Sequence, residues 1–275
     1  MSRALAVFHG HFGRATVYKL NRPFNMHAHR EGHLIFHVGG TPGSVDVLER
    51  RCLVDPGTVV AVNPWEPHNF LPEDLTDGAL FFVLYVRGEW FAPDVARGRR
   101  LRFGKMQFQR TTALDCHVRR VAAMVCGAPS LKGLDLELRQ LIEACHEESW
   151  RQVEAIRDDR TGAAITDFRV RKSIRLMSEQ LGSEIELDAI ARESGLSRPH
   201  FYKLFRTQTG VTPHLYMNTL MMEKALDALV TTESPIADIG FDLGFSSQSG
   251  FTRFFAANVG MAPTDYRRAA KVLRA

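Results

Sequence analysis

Four histidines and two sets of polar side chains at helical spacing are the residues of this chain that could do chemistry. His27, His29, His33 and His68 offer imidazoles, which ligate transition metals, hydrogen-bond small molecules or serve as ordinary structural groups. Further along, Pro199, Tyr202, Lys203 and Arg206 fall at i, i+3, i+4 and i+7, with Arg198 beside them, so they share one surface of a helix. Gln248, Ser249, Thr252 and Arg253 share another by the same spacing. Gln pairs with adenine edges, and Arg or Lys with guanine edges, in the major groove. A merely solvated helix face has a similar composition, so one such set alone decides nothing.

Repetition decides between them. Gly195-Leu196-Ser197 is followed by Phe201, Phe205, Gly210, Pro213 and Tyr216. About fifty residues later Gly244-Phe245-Ser246 is followed by Phe251, Phe255, Gly260, Pro263 and Tyr266. Two copies are too few for a solenoid, and each reads as helix, Gly turn and Ser-capped second helix, the helix-turn-helix pattern. Ile190, Ala191 and Leu196 would hold the first pair together. Phe201, Leu204 and Phe205 would bury one face of its second helix, and Phe251, Phe254 and Phe255 the matching face of the other. Ser197 and Ser246 are the expected caps. Thr212-Pro213 starts a long helix to about Val230, Ser234-Pro235 repeats that start signal, and Thr264 begins a last helix. Two such units on one chain can enter successive major grooves.

The rest of the chain must position these groups. With 275 residues, 45% hydrophobic and 24% charged, it suits about two globular domains. A net charge of +4 and a pI near 9.0 are compatible with a nucleic-acid partner without requiring one. No apolar run approaches the roughly 18–20 residues that span a bilayer, and the first residues lack a signal-peptide core. The expectation is a cytoplasmic protein without a membrane partner. Cys52, Cys116, Cys126 and Cys145 form no CxxC pair and read as free thiols.

Residues 1–110 read as β. Leu34-Ile35-Phe36, Val59–Val62 and Leu80–Val86 are short apolar runs between turns such as Gly39-Gly40-Thr41-Pro42-Gly43 and Asp55-Pro56-Gly57, which suggests a barrel or sandwich. Two helices follow, near Leu114–Val125 and Leu134–Ile156. The stripe Leu134, Leu138, Leu141, Cys145 serves either to pack on the barrel or to dimerise. Residues 157–162 read as a linker, and from Asp167 the chain is helical, with Val170, Ile174, Met177 and Leu181 as an apolar stripe.

Residues 166 to about 268, above all Ser234-Pro235-Ile236-Ala237-Asp238-Ile239-Gly240-Phe241 through Gly244-Phe245-Ser246 to Phe255, then Gly260-Met261-Ala262-Pro263 and Tyr266-Arg267, resemble the DNA-binding domain of AraC/XylS-type regulators. That resemblance implies seven helices with two helix-turn-helix units joined by a long one. It turns Pro199, Tyr202 and Lys203 to bases in the first site and Gln248, Ser249 and Arg253 in the second. This chain departs from the family pattern in having Met221 and Met222 where an Arg is usual, and Gly240 where Ala is usual; local repacking is the expected consequence. Pro199 donates no hydrogen bond, so the second unit is the better candidate for direct readout.

The N-terminal run Met26-His27-Ala28-His29-Arg30-Glu31-Gly32-His33, then Asp55-Pro56-Gly57 and Asn63-Pro64-Trp65-Glu66-Pro67-His68, resembles a cupin barrel, which regulators of this family carry to bind an effector. The resemblance implies effector contacts at His27, His29, His33 and His68; Phe36, Trp65, Phe82 and Tyr85 either line an apolar effector cavity with them or are plain barrel core. Metal-binding cupins use matching positions, but the His29-to-Glu31 spacing is shorter than their pattern. Metal ligation, metal-free effector contact and a structural role all stay open for the histidines. The reading taken is metal-free, with no cofactor and no catalytic residue.

The fold expected is therefore α+β with two domains: a cupin-like barrel over 1–110, a helical dimerisation segment and linker over 111–160, and a double helix-turn-helix domain over 161–275. The function expected is a non-enzymatic transcription regulator. Its partners are double-stranded promoter DNA, a small-molecule effector, RNA polymerase and a second copy of itself. The rival readings are a cupin-type metalloenzyme with a helical appendage and an effector-independent activator whose barrel only dimerises.

Overall fold

The structure, a computed structural model, describes residues 2–73, 78–91, 102–127, 131–151, 165–182 and 186–272. The N-terminal half is built of strands β1 (Arg3–Gly10), β2 (Gly13–Leu20), β3 (Phe24–His27), β4 (Gly32–Gly40), β5 (Gly43–Val47), β6 (Arg50–Val54), β7 (Thr58–Val62), β8 (His68–Pro72) and β9 (Ala79–Val86). The short helix α1 (Gly88–Phe91) and strand β10 (Gln107–Gln109) follow. One sheet runs β10-β7-β4-β9-β2-β1 and takes β11 (Ala270–Val272) on its edge; the other runs β3-β8-β5-β6.

The uninterrupted apolar run of β9 has a direct cause, since both faces of the larger sheet are covered. Side chains alternate along a strand. Ile35, Val60, Phe81 and Val83 point into the barrel against Val45, Val54 and Phe70 of the smaller sheet. Leu34, Phe36, Phe82 and Leu84 point the other way, onto helices α2 (Thr112–Cys126) and α3 (Leu131–Trp150). The stripe Leu134, Leu138, Leu141, Cys145 is fully buried in this second layer, so the helix pair packs on the barrel. The expected extension of α3 to Ile156 and the linker at 157–162 lie outside the described residues.

Among the described residues the C-terminal half carries seven helices: α4 (Phe168–Glu179), α5 (Leu187–Glu193), α6 (Arg198–Thr209), α7 (Pro213–Thr231), α8 (Ile236–Asp242), α9 (Gln248–Val259) and α10 (Pro263–Ala269). Helices α5–α6 and α8–α9 are the two helix-turn-helix units and α7 joins them. Thr212 caps α7 by accepting from the Leu215 amide, and Gly210 and Gly260 end α6 and α9 in the left-handed region that L residues disfavour. The caps correct three expectations. The second helix of the second unit starts at Gln248, capped by Ser247, whose Oγ accepts from the Gly250 amide at 3.2 Å; Ser246 lies outside it. Helix α8 starts at Ile236 after Pro235, and α10 starts at Pro263 rather than Thr264.

The two units sit in different cores. Phe201, Phe205, Ile190 and Val170 pack in a cluster largely of their own. Phe251, Phe255, Ile239 and Tyr266 share a cluster with Val7, Tyr18 and the barrel interior. Phe254, expected to be buried, is only half-buried there. Gly240 suits this packing, because a Cβ at that position would lie 2.9 Å from Cβ of Phe251, so glycine lets α8 approach α9 closely.

Candidate functional site

The exposed ends of α6 and α9 form the first half of the site. Arg198, Pro199, Lys203, Gln248, Ser249 and Arg253 are exposed, and Tyr202 and Thr252 are half-buried. Arg198 pairs with Asp188 of α5 at 3.1 Å, and its guanidinium lies 5.9 Å from the Tyr202 ring, so its placement is set by both helices of the first unit. Ser249 Oγ lies 3.1 Å from Ser247 Oγ, tying it to the cap of its own helix. Arg206 stands apart from this group. It borders a crevice beside the barrel residues Asn25 and Met26, at the far end of α6.

The second half is a cavity of about 930 Å³ between barrel and helices. The barrel contributes Arg14, His27, His29, Glu31, Trp65 and Tyr85; α7 contributes Thr219, Met222, Glu223 and Leu226, and α9 contributes Asn258 and Val259. Direct contacts close its edges. Thr219 Oγ1 donates to the buried Ala28 carbonyl at 2.8 Å, Arg30 pairs with Glu223 at 3.1 Å, and Trp65 stacks on Tyr216 of α7. At the base of α10, the Tyr266 hydroxyl meets His9 Nε2 at 2.8 Å and accepts from Arg14 Nη1 at 3.3 Å. Burial holds His9 down to about 3 and pushes the Tyr266 hydroxyl up to about 12. Burial also raises the Glu223 carboxyl to about 7, against the opposing pull of Arg30.

Residues 12–160 match the AraC-like ligand binding domain, and residues 190–269 match a helix-turn-helix domain. The first match alone covers more than half of the chain. The chain belongs to the AraC family. Regulatory protein SoxS of Salmonella typhimurium is 35% identical over 98 residues, which is 36% of this chain and 92% of that protein. The transcriptional activator RhaS of Escherichia coli is 30% identical over 100 residues, 36% of each chain. Crystal structures of ToxT from Vibrio cholerae share the whole fold: an apo variant superposes with a TM-score of 0.61 over 93% of this chain and 96% of that one, at 15% identity. A ToxT structure with bound unsaturated fatty acid gives 0.58 over 92% and 94%, at 16% identity. This chain is thus a DNA-binding transcription regulator with a ligand-binding domain.

In this AraC-family regulator, four of the eight residues read as effector contacts, His27, His29, Trp65 and Tyr85, line the cavity. His33 and His68 are buried against them: the His68 ring centroid is 4.3 Å from that of His27, 4.7 Å from His29 and 4.5 Å from His33. Burial depresses all four imidazoles, His27 to about 4 and the others well below their usual range. Phe36 and Phe82 correct the sequence reading. They stack on each other at 5.8 Å, fully buried under α2 and α3, on the face of the sheet turned away from the cavity. Their odd-even position relative to His33 and Tyr85 was the available signal. Arg14 and the α7 residues were missed, because nothing in the sequence says that β2 and the joining helix share a cavity wall.

Proposed function

We propose that this regulator binds promoter DNA through α6 and α9 and responds to a small molecule held in the interdomain cavity. The observation that carries this reading is the shared wall: α7, which joins the two reading units, lines the cavity with Thr219, Met222, Glu223 and Leu226. A molecule seated there contacts barrel and joining helix together. It shifts the population of DNA-domain placements by its different affinity for each. Met222, Leu226 and Val259 offer an apolar wall, while Arg14, Glu31 and the histidines offer polar contacts. That combination suits a ligand with an apolar body and a polar end.

Gln248 and Arg253 read base edges, and Lys203, Arg198 and Tyr202 position the first unit on the duplex. The protein acts as a homodimer, with the outward face of α3, where Leu136 is exposed, as the contact, and it engages RNA polymerase at the promoter. The test is capture of sheared genomic DNA by the untagged full-length protein, followed by footprinting of the recovered sites and a thermal-shift screen of small molecules. The expected result is a shared motif spanning two successive major grooves, with a ligand that raises the melting temperature and alters affinity for that motif. Binding without sequence preference would overturn the reading. Sedimentation velocity tests the dimer.

A further inference from the structure

The two helix-turn-helix units hold one tyrosine each at matching positions of the repeat, Tyr216 in the first turn of α7 and Tyr266 in α10. Each meets the second Phe of its unit edge to face. Tyr216 lies 5.4 Å from Phe205 with the rings 80° apart, and Tyr266 lies 5.6 Å from Phe255 at 72°. Those two rings in turn meet Phe201 at 5.5 Å and Phe251 at 6.0 Å, on the buried faces of α6 and α9. Repetition accounts for this much, since equal spacing gives equal packing within each unit. It does not account for the barrel side. Each tyrosine is also touched by one residue of the cavity wall, and the two contacts differ in chemistry. Trp65 stacks flat on the Tyr216 ring. Arg14 Nη1 donates to the Tyr266 hydroxyl at 3.3 Å, and His9 Nε2 lies 2.8 Å from the same oxygen.

We propose that Tyr216 and Tyr266 are equivalent positioning residues, through which the cavity wall sets the two DNA-facing helices separately. Trp65 acts on α6 through Tyr216, and Arg14 acts on α9 through Tyr266. The proposal rests on the reading of α6 and α9 as DNA-reading helices and of the cavity as the ligand site. Packed side chains carry coupling between sites when they have two discrete arrangements, and both barrel residues are placed to change theirs. Trp65 holds a backbone φ of +66°, which a bulky residue adopts only at a cost, so another placement of its turn is within reach. Arg14 lies 3.7 Å over the Tyr85 ring and has a buried Nε without a hydrogen-bond partner among the described residues. An acceptor group entering the cavity therefore competes with the Tyr266 hydroxyl for this guanidinium. An apolar body against Trp65 bears on α6, and an acceptor beside Arg14 bears on α9. The two ends of one ligand thus address different units.

The test is amide hydrogen exchange of the full-length protein, read by mass spectrometry without DNA or ligand, on variants whose folding is checked by circular dichroism. Trp65→Ala is expected to speed exchange in α6 by about 2- to 10-fold, and in α9 by less. Arg14→Met and Tyr266→Phe are expected to do the reverse, speeding α9 by about 2- to 10-fold and α6 by less. Tyr266→Phe keeps the ring on Phe255 and removes only the hydroxyl, so a tyrosine that merely packs would give wild-type exchange. Within a pair the effects should not add: Arg14→Met in the Tyr266→Phe background, and Trp65→Ala in a Tyr216→Leu background, should change little further. Across pairs, Trp65→Ala with Tyr266→Phe should be additive. Equal exchange in both helices for each variant, wild-type exchange in Tyr266→Phe, or additivity within either pair would overturn the proposal. Capture of genomic DNA by the wild type keeps this apart from the regulatory reading. A shared motif without helix-selective exchange would sink the coupling alone, and helix-selective exchange without a motif would sink the regulatory reading alone.

Discussion

Trp65 of the barrel and Tyr216 of α7 lie face to face, with ring centroids 4.5 Å apart and planes 2° from parallel. Trp65 reaches this position from a backbone with φ of +66°, a region costly for a bulky residue. The contact joins the ligand-binding half to the helix that carries both reading units, at the rim of the cavity.

Trp65→Ala therefore loosens the docking of the DNA-binding half. The stacking itself contributes about 0.5–1.5 kcal/mol beyond buried area. The expected outcome is a lower melting temperature and a larger radius of gyration by small-angle scattering, with DNA affinity retained but less responsive to ligand. An unchanged scattering profile would assign the pair no role in docking.

Arg253→Ala is expected to weaken specific DNA binding by about 1–3 kcal/mol and relax preference at one position. Arg253 and Arg206 are both exposed, but Arg206 sits near the end of α6 and borders the crevice beside the barrel, so Arg206→Ala should leave base preference intact. Fluorescence anisotropy on the selected site and its single-base variants checks both. A uniform loss across sequences for Arg253→Ala would make it a phosphate contact.

Glu223 gives a pH dependence with a definite sign. Its carboxyl is raised from 4.5 to about 7 in the folded protein, so folding disfavours the ionised form. Wild-type stability contributed by this group is full below about 4.5 and is lost as pH rises through about 7. Glu223→Gln removes that cost, on the order of 3 kcal/mol at most. The melting-temperature gain of the variant over wild type should grow between pH 4.5 and 7 and level off above. A gain independent of pH would mean that the carboxyl does not titrate in this window.

Gly240→Ala places a methyl group 2.9 Å from Cβ of Phe251. The overpacking, about 1–3 kcal/mol, outweighs the roughly 1 kcal/mol that alanine adds to a helix. A small net loss of stability is expected, read by chemical denaturation. It should come with weaker DNA binding, because α9 is displaced. A stabilised variant would show that α8 and α9 have room to separate.

The helical half was legible because its signals are local. Phe201 and Phe205, Phe251 and Phe255, and the glycines ending each reading helix recur at fixed spacing, and each states its own burial or turn without reference to distant residues. The boundaries were less so: Ser246 and Ser247 are equally good caps by type, and only the backbone chose Ser247. In the barrel, the apolar run of β9 announced a strand buried on both faces. It could not announce that Phe82 faces α2 and α3 while Tyr85 faces the cavity.

By itself, then, the sequence determined a strand-rich half, a helix pair, two reading units and the identity of their exposed side chains, since these follow from periodicity, caps and repetition within short windows. The tertiary structure decided what those windows do not contain. It set α7 and α9 against the barrel, buried Tyr266 beside His9 and Arg14, and added β11 to the edge of β1, all pairings between residues far apart in the chain, 151 positions for Trp65 and Tyr216 and 257 for His9 and Tyr266. It also brought His27 and His29, beside the end of one strand, to His68 at the start of another. Contacts of that range depend on how whole elements pack, and no local pattern of residues encodes them.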